Sequence, residues 1–284
     1  FTSAAMVPIV TAVFKDAAMA RKLSALSLKL MEILKNKNDG MSYFVLAYMA
    51  LHWEKHAREN IEMFRKAYQL LLDSGKFDFV CHTINNIIDF SFITGRNIDE
   101  AFDEYKKYED FTRARKNKFF NDYFKDNIRK YNCLKGKTDG PATLNKNDNY
   151  EEEREREIIR SGNTLDAFIF YCNKIKLLYL SGNYEVAFNV AEKNSHYQKD
   201  QVGNFSLPEY IFFHALSAAA YYPAAKVSAR RKIRSVLKKS SYRMKQWADN
   251  CPENFLHKYL LIEAERERIF GKDEKALELY FQSI

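Results

Sequence analysis

The sequence predicts an all-α fold, a tetratricopeptide-like α-solenoid: a right-handed superhelix of antiparallel helix pairs. Three observations carry the prediction. The 284 residues include only 9 Gly and 5 Pro, too few for the turns of an all-β chain. Apolar residues recur at i, i+3 and i+4 along most of the length, the spacing that lines one face of a helix. A Gly-marked turn followed by a small Ala also recurs, written G-x-x-x-x-A at Gly182…Ala187 and Gly271…Ala276 and one residue longer at Gly95…Ala101. Gly75 opens a related turn that lacks the Ala. Gly ends the incoming helix through a positive φ, and Ala in the first turn of the outgoing helix lets two axes approach closely. The copies are degenerate, with no regular 34-residue period and no full consensus.

Taken in order, residues 1–34 hold a short and a longer periodic segment, the second marked by Met19, Leu23, Leu26, Leu30, Ile33 and Leu34. Asn36–Gly40 reads as a loop. Helices are expected at 41–53 (Phe44, Tyr48, Leu51, Trp53), 56–74 (Ile61, Phe64, Tyr68, Leu71), 77–94, 97–115 and 117–133. Lys135–Asn149, with two Gly, one Pro and several Asn and Asp, is a loop and the one clear break in an otherwise single array. The charged run Glu151–Glu157 opens a solvated helix. Thr164–Leu180 and Leu207–Tyr222 are apolar and aromatic enough to be buried, and Pro208 suits a first turn. Between them, a helix is expected at 183–197. The aromatics Phe168, Phe170, Tyr171, Tyr179, Phe212 and Phe213 read as the core of the array, with a ligand pocket as the other use. Residues 224–249 form a basic helix that buries Val227, Ile233, Val236, Leu237 and Met244. The last hairpin runs from Asn254 to Ile269–Phe270, turns at Gly271, and continues through Ala276, Leu277 and Tyr280. The initial Phe and the final helix, which stops mid-turn, suggest an excised piece of a longer chain.

Composition bounds the function. At 46% hydrophobic and 15% aromatic residues the chain folds. No apolar run approaches the roughly 20 residues of a membrane span, and no signal sequence is evident. Together these suggest a cytoplasmic protein. Cys81, Cys133, Cys172 and Cys251 are far apart and lack C-x-x-C spacing, so they are expected as reduced core thiols. The formal charge of +8 is concentrated in the helix at 224–249, where nine bases from Lys226 to Lys245 occur with no acid between them. Arg230, Arg231, Lys232, Arg234, Lys238 and Lys239 form the candidate surface for an anionic partner, or else the solvated face of an amphipathic helix. Tyr242 is the one aromatic in its middle, poor for stacking bases.

The sequence shows no recognisable catalytic motif. None of the Gly-Lys pairs completes G-x-x-x-x-G-K, and neither G-x-S-x-G nor G-x-G-x-x-G occurs. His52 and His56 stand four apart, as metal ligands can. Glu54 lies two residues from the first His rather than next to it, and no third ligand is apparent. His82, His196, His214 and His257 have no nucleophile partner readable from sequence. No catalytic, cofactor-binding or metal-binding residue is assigned, and no cofactor is expected.

The segment from Trp247 through Cys251-Pro252-Glu253-Asn254-Phe255 to Glu265, together with Gly271 and Lys275–Tyr280, resembles a known family. So do His52-Trp53, Gly75…Phe79, Gly95…Ile98, Gly182…Ala187 and Tyr210–His214. The family is the tetratricopeptide-like region of large multidomain signalling proteins of bacteria and fungi. These carry a kinase-like domain, a STAND-type ATPase, often a GAF domain, and usually a histidine kinase output. Trp247, Pro252, Glu253, Asn254 and Phe255 are the signature. The resemblance covers about 41–284. It implies a non-catalytic sensor and scaffold module that binds a protein or small-molecule signal and regulates the ATPase and histidine kinase domains of its parent chain. Ser228–Tyr242 is more basic than the family pattern, and Phe281–Ile284 departs from its usual ending, so no family-wide binding surface carries over. The family's catalytic motifs have no counterpart here. The alternatives are a transcription-regulator or nucleic-acid-binding array that uses the basic helix, and an enzyme with an unrecognised site.

Overall fold

The computed structural model describes Val7 and residues 17–34, 40–115, 117–201 and 203–284. All regular structure among them is helical, with no strand. The helices are α1 (Ala17–Leu34), α2 (Gly40–Met49), α3 (Arg58–Asp73), α4 (Phe77–Ile93), α5 (Ile98–Lys106), α6 (Glu109–Ala114) and α7 (Lys118–Leu134). After the loop come α8 (Tyr150–Ser161), α9 (Thr164–Leu180), α10 (Tyr184–Lys193), α11 (Ser206–Tyr221), α12 (Val227–Asn250), α13 (Pro252–Ile269) and α14 (Asp273–Gln282). Short 3-10 turns lie at Leu51–Trp53 and Ser195–Asp200. The chain divides into two compact units, Phe1–Tyr131 with Val202–Phe205, and Asn132–Gln201 with Ser206–Ile284.

The Gly turns are built alike. Gly75, Gly95, Gly182 and Gly271 all have φ between 69° and 81°. In each, the residue after Gly donates its N–H back to a helical carbonyl: Lys76 to Leu71, Arg96 to Ser91, Asn183 to Leu178 and Lys272 to Glu267, at 2.9–3.0 Å. That six-to-one closure satisfies carbonyls the helix end leaves open. Ala101, Ala187 and Ala276 are buried, as the close approach of paired axes requires. Gly136 makes the same closure and Gly162 a simpler one, and the sequence reading assigned neither.

In the first unit α2, α3 and α4 pack in sequence, around Phe44, Phe64, Leu71, Ile84 and Phe90. Gly40, expected at the end of a loop, is the first residue of α2 and is buried. A Cβ there would come within 2.8 Å of both the Leu71 backbone N and its Cγ, so the bare backbone is what lets α2 meet α3. The face that α1 buries is not the one its apolar residues suggest. Met19, Leu26, Leu30 and Ile33 are exposed, while Ala20, Ser24, Ser27 and Met31 are buried. Small residues allow close contact, and the two hydroxyls are satisfied by Glu54 and the Leu23 carbonyl. Leu34's side chain and the loop 36–39 lie outside the described residues.

The helix expected over 97–115 breaks at Lys107–Tyr108. There the backbone tightens to i+3 hydrogen bonds, and the buried Tyr105 hydroxyl is anchored on the Phe124 carbonyl. Residues 203–205 pack on the same unit. The Gly203 carbonyl meets His52 Nε2 at 3.1 Å, Asn204 donates to the Tyr48 hydroxyl, and Phe205 stacks on Phe90.

In the second unit consecutive helices from α9 to α14 pack as neighbours, and α11 also touches α9 and α13. Phe168, Phe170, Tyr171 and Phe212 are buried, as core residues. The four cysteines are buried, and burial pushes the Cys81 and Cys251 thiols up, to about 11 and 12. The helix expected over 183–197 ends at Lys193. Asn194 Nδ2 and Ser195 Oγ take the carbonyls of Val190 and Glu192, and side-chain competition for such carbonyls unwinds a helix end.

Candidate functional site: a basic groove between three helices

In α12, residues 232, 236, 239 and 243 follow one another at i, i+4, i+7 and i+11, so they share a stripe on its surface. The core-facing stripe is Ile233, Leu237, Ser240 and Met244, all buried. Val227, expected in that core, is instead 83% exposed. The 232–243 stripe faces the end of α10, the Ser195–Asp200 turn and the middle of α11. Between them lies a groove of about 530 Å³.

One end is built around Glu192. Its Oε1 lies 2.9 Å from His214 Nε2, and its other oxygen pairs with Lys232. The His214 contact is close but poorly directed, and the buried ring nitrogen makes no well-formed hydrogen bond. Burial alone would raise the Glu192 carboxyl, but His214 and Lys232 outweigh it and hold it at about 2. Glu192 is therefore ionised at neutral pH. Tyr210 forms the floor one turn before His214, its hydroxyl donating to the Ala191 carbonyl.

The other end is cationic. Arg243 is partly buried, with Nη1 3.3 Å from Gln198 Oε1 and its guanidinium over the Trp247 ring. Burial lowers its pKa and no carboxylate offsets that. It stays charged, because a guanidinium does not deprotonate in a protein. Lys239 lines the same stretch, also without a carboxylate partner among the described residues. Ser235, Ser240 and Tyr242 add hydroxyls.

The six bases read from sequence are thus divided among three faces. Lys232 and Lys239 line the groove. Arg230 caps the α11–α12 turn through the Ala225 and Pro223 carbonyls, and Arg234 donates to the Tyr222 hydroxyl. Both guanidinium groups lie over the Tyr222 ring. Arg231 and Lys238 lie on the remaining face; they are exposed, as are Lys232, Arg234 and Lys239 at the rims of theirs. Glu192, Gln198, His214 and Arg243 were not among the assigned site residues. The one local signal was the 232–236–239–243 spacing.

The signature residues form the α12–α13 junction. Pro252 starts α13, Asn254 is buried with Nδ2 3.3 Å from Cys251 Sγ, and the fully buried Phe255 packs on Trp247. His52 is buried, with its pKa lowered to about 3 by desolvation, and His56 Nδ1 accepts the Arg58 N–H. Among the described residues no group of three His, Cys, Asp or Glu is placed to hold a metal. No helix there is long and apolar enough to cross a membrane.

Two other polar clusters are closed. Asp89 is paired with Tyr123 and Lys130, which also bonds Asn127. Glu209 is paired with Lys258 and Lys176, all three nearly fully buried. Comparison with family models, curated proteins and solved structures gives no match.

Proposed function

We propose that this chain is a non-catalytic helical-repeat module, a tetratricopeptide-like α-solenoid, that recognises a signal in the groove between α10, α11 and α12. The observation that carries the reading is the groove itself, with charge of both signs drawn from three successive elements. Stacked helix pairs use such concavities for binding. The resemblance of Trp247–Phe255 and the Gly turns to the helical region of STAND ATPase–histidine kinase proteins supplies the context. In that context the occupied module releases the ATPase or kinase domains of the same chain, and the empty one holds them. The signal is a small molecule or a protein segment, read in the cytoplasm.

Nucleic-acid binding is the less favoured alternative, since Arg230 and Arg234 are engaged on the α11–α12 turn. A thermal-shift screen tests the reading. Ligands that raise Tm in the native chain are expected to lose their effect in Val236→Trp, which fills the groove. Stabilisation that persists in this variant places binding elsewhere. The flanking coding sequence tests the context: a P-loop upstream and a histidine kinase downstream are expected, and neither being present overturns it.

A further inference from the structure

The charge inside the groove points to a particular ligand chemistry. Lys232 is neutralised by Glu192. Lys239 and Arg243 have no carboxylate partner among the described residues, and they stand one helical turn apart, about 6 Å along the axis. A partly buried guanidinium without a counter-ion is costly unless something supplies the charge. Two uncompensated cations match one dianion, and a phosphate monoester carries about −1.5 to −2 at neutral pH. The guanidinium fork suits phosphate oxygens, and Lys contributes a point charge beside it.

The opposite end has the reverse character. Lys232 and Arg243 are about 16 Å apart along α12, so the Glu192–Lys232 pair and Arg243 mark opposite ends of the groove. Glu192 is a held carboxylate that accepts hydrogen bonds, and His214 Nε2 lacks a well-directed partner. Such an end takes hydroxyl groups and, being charge-paired, offers no free cation to a further anion. Tyr210, Ile211 and Val236 wall the middle.

We infer that the groove binds a phosphate monoester of a small polyhydroxylated molecule, with the phosphate on Arg243 and Lys239 and hydroxyls on Glu192 and His214. The inference rests on the groove being the binding site. The charge-paired Glu192–Lys232 end leaves no cation for a second phosphate, which argues against polyphosphates and nucleic acid. A groove of about 530 Å³ is of a size for a small phosphate ester, and a phosphorylated protein segment is an outcome of the test.

Isothermal titration of the full chain with inorganic phosphate, glycerol 3-phosphate and glucose 6-phosphate tests it, with glycerol and glucose as controls. The esters should bind saturably and more tightly than phosphate, and the parent alcohols should not bind. Arg243→Gln and Lys239→Gln should each weaken binding about tenfold or more, and Arg243→Lys should recover part of it. Glu192→Gln should erase the advantage of the sugar ester over phosphate. The paired outer-face substitution Arg231→Gln with Lys238→Gln should change nothing. Far-UV circular dichroism confirms that each variant folds.

Absence of saturable binding by all three phosphates up to about 10 mM overturns the inference. So does equal loss in the outer-face variant, or tighter binding of a phosphoserine peptide than of either ester. If phosphates fail while another screening hit is lost in Val236→Trp, the groove reading stands and the phosphate assignment falls. If phosphates bind but ignore both Val236→Trp and Arg243→Gln, the groove reading falls too.

Discussion

Glu209 concentrates the second unit's buried charge. It is 3% exposed and lies between Lys258 and Lys176, which are themselves buried. Burial pushes its carboxyl up, but the two ammonium groups outweigh that and hold it at about 2. A carboxyl depressed in the folded state contributes stability that is complete above its unfolded value, near 4.5, and is lost as pH falls toward 2. Glu192 titrates in the same sense, its folded value also held near 2. Denaturant midpoints of the native chain should therefore fall steeply below about pH 4.5, and those of Glu209→Gln less so. At neutral pH Glu209→Gln should cost about 3–5 kcal/mol, because two cations are left buried against an uncharged amide. A loss under about 1 kcal/mol would mean that water reaches the cluster. At the same scale, Gly182 has φ 81° and open space where a Cβ would stand. Gly182→Ala should then cost about 1–2 kcal/mol from the left-handed backbone alone, measured by urea unfolding.

Among the elements, α12 is held by its burial and its junctions more than by its ends. Its first turn carries no acid and no side-chain cap, and Arg230 and Arg231 sit where the helix dipole disfavours cations. Arg230 and Arg234 instead fasten the preceding turn through Pro223, Ala225 and Tyr222. Arg234→Glu should lower stability by about 1–3 kcal/mol, whereas the exposed Arg231→Glu should fall within about 0.5 kcal/mol of the native chain. Equal effects would show that α12 responds to charge alone.

The hairpins were readable in the sequence because their cause is local: a Gly with positive φ and an Ala one turn on. The register of α1 was not, because hydrophobicity favoured Met19, Leu26 and Leu30 while close packing favoured Ala20, Ser24 and Ser27. The break at Lys107–Tyr108 was hidden for a similar reason, since Tyr105 is anchored on Phe124 from another helix.

For the whole molecule, the net charge of +8 marks α12 as basic without saying how its bases divide, and two of the six candidate bases, Lys232 and Lys239, line the groove. Six bases of one helix look like a single patch in a linear reading. Helical geometry sends them to three faces, and the partners that define the site, Glu192, Gln198 and His214, come from elements separated in sequence. Charge pairing across helices has no signature in one segment, so the site became visible only once the helices were packed. The all-helical class, by contrast, follows from periodicity and turn chemistry that every segment repeats.

The central claim is that recognition occurs in the α10–α12 groove. Backbone amide NMR of the native chain titrated with glucose 6-phosphate tests it most directly. The account predicts saturable shifts confined to residues near 192–198, 210–214 and 232–243, and absent in Arg243→Gln. Shifts centred on the first unit or on the exposed Arg231–Lys238 face, or no shifts at saturating ligand, would contradict it.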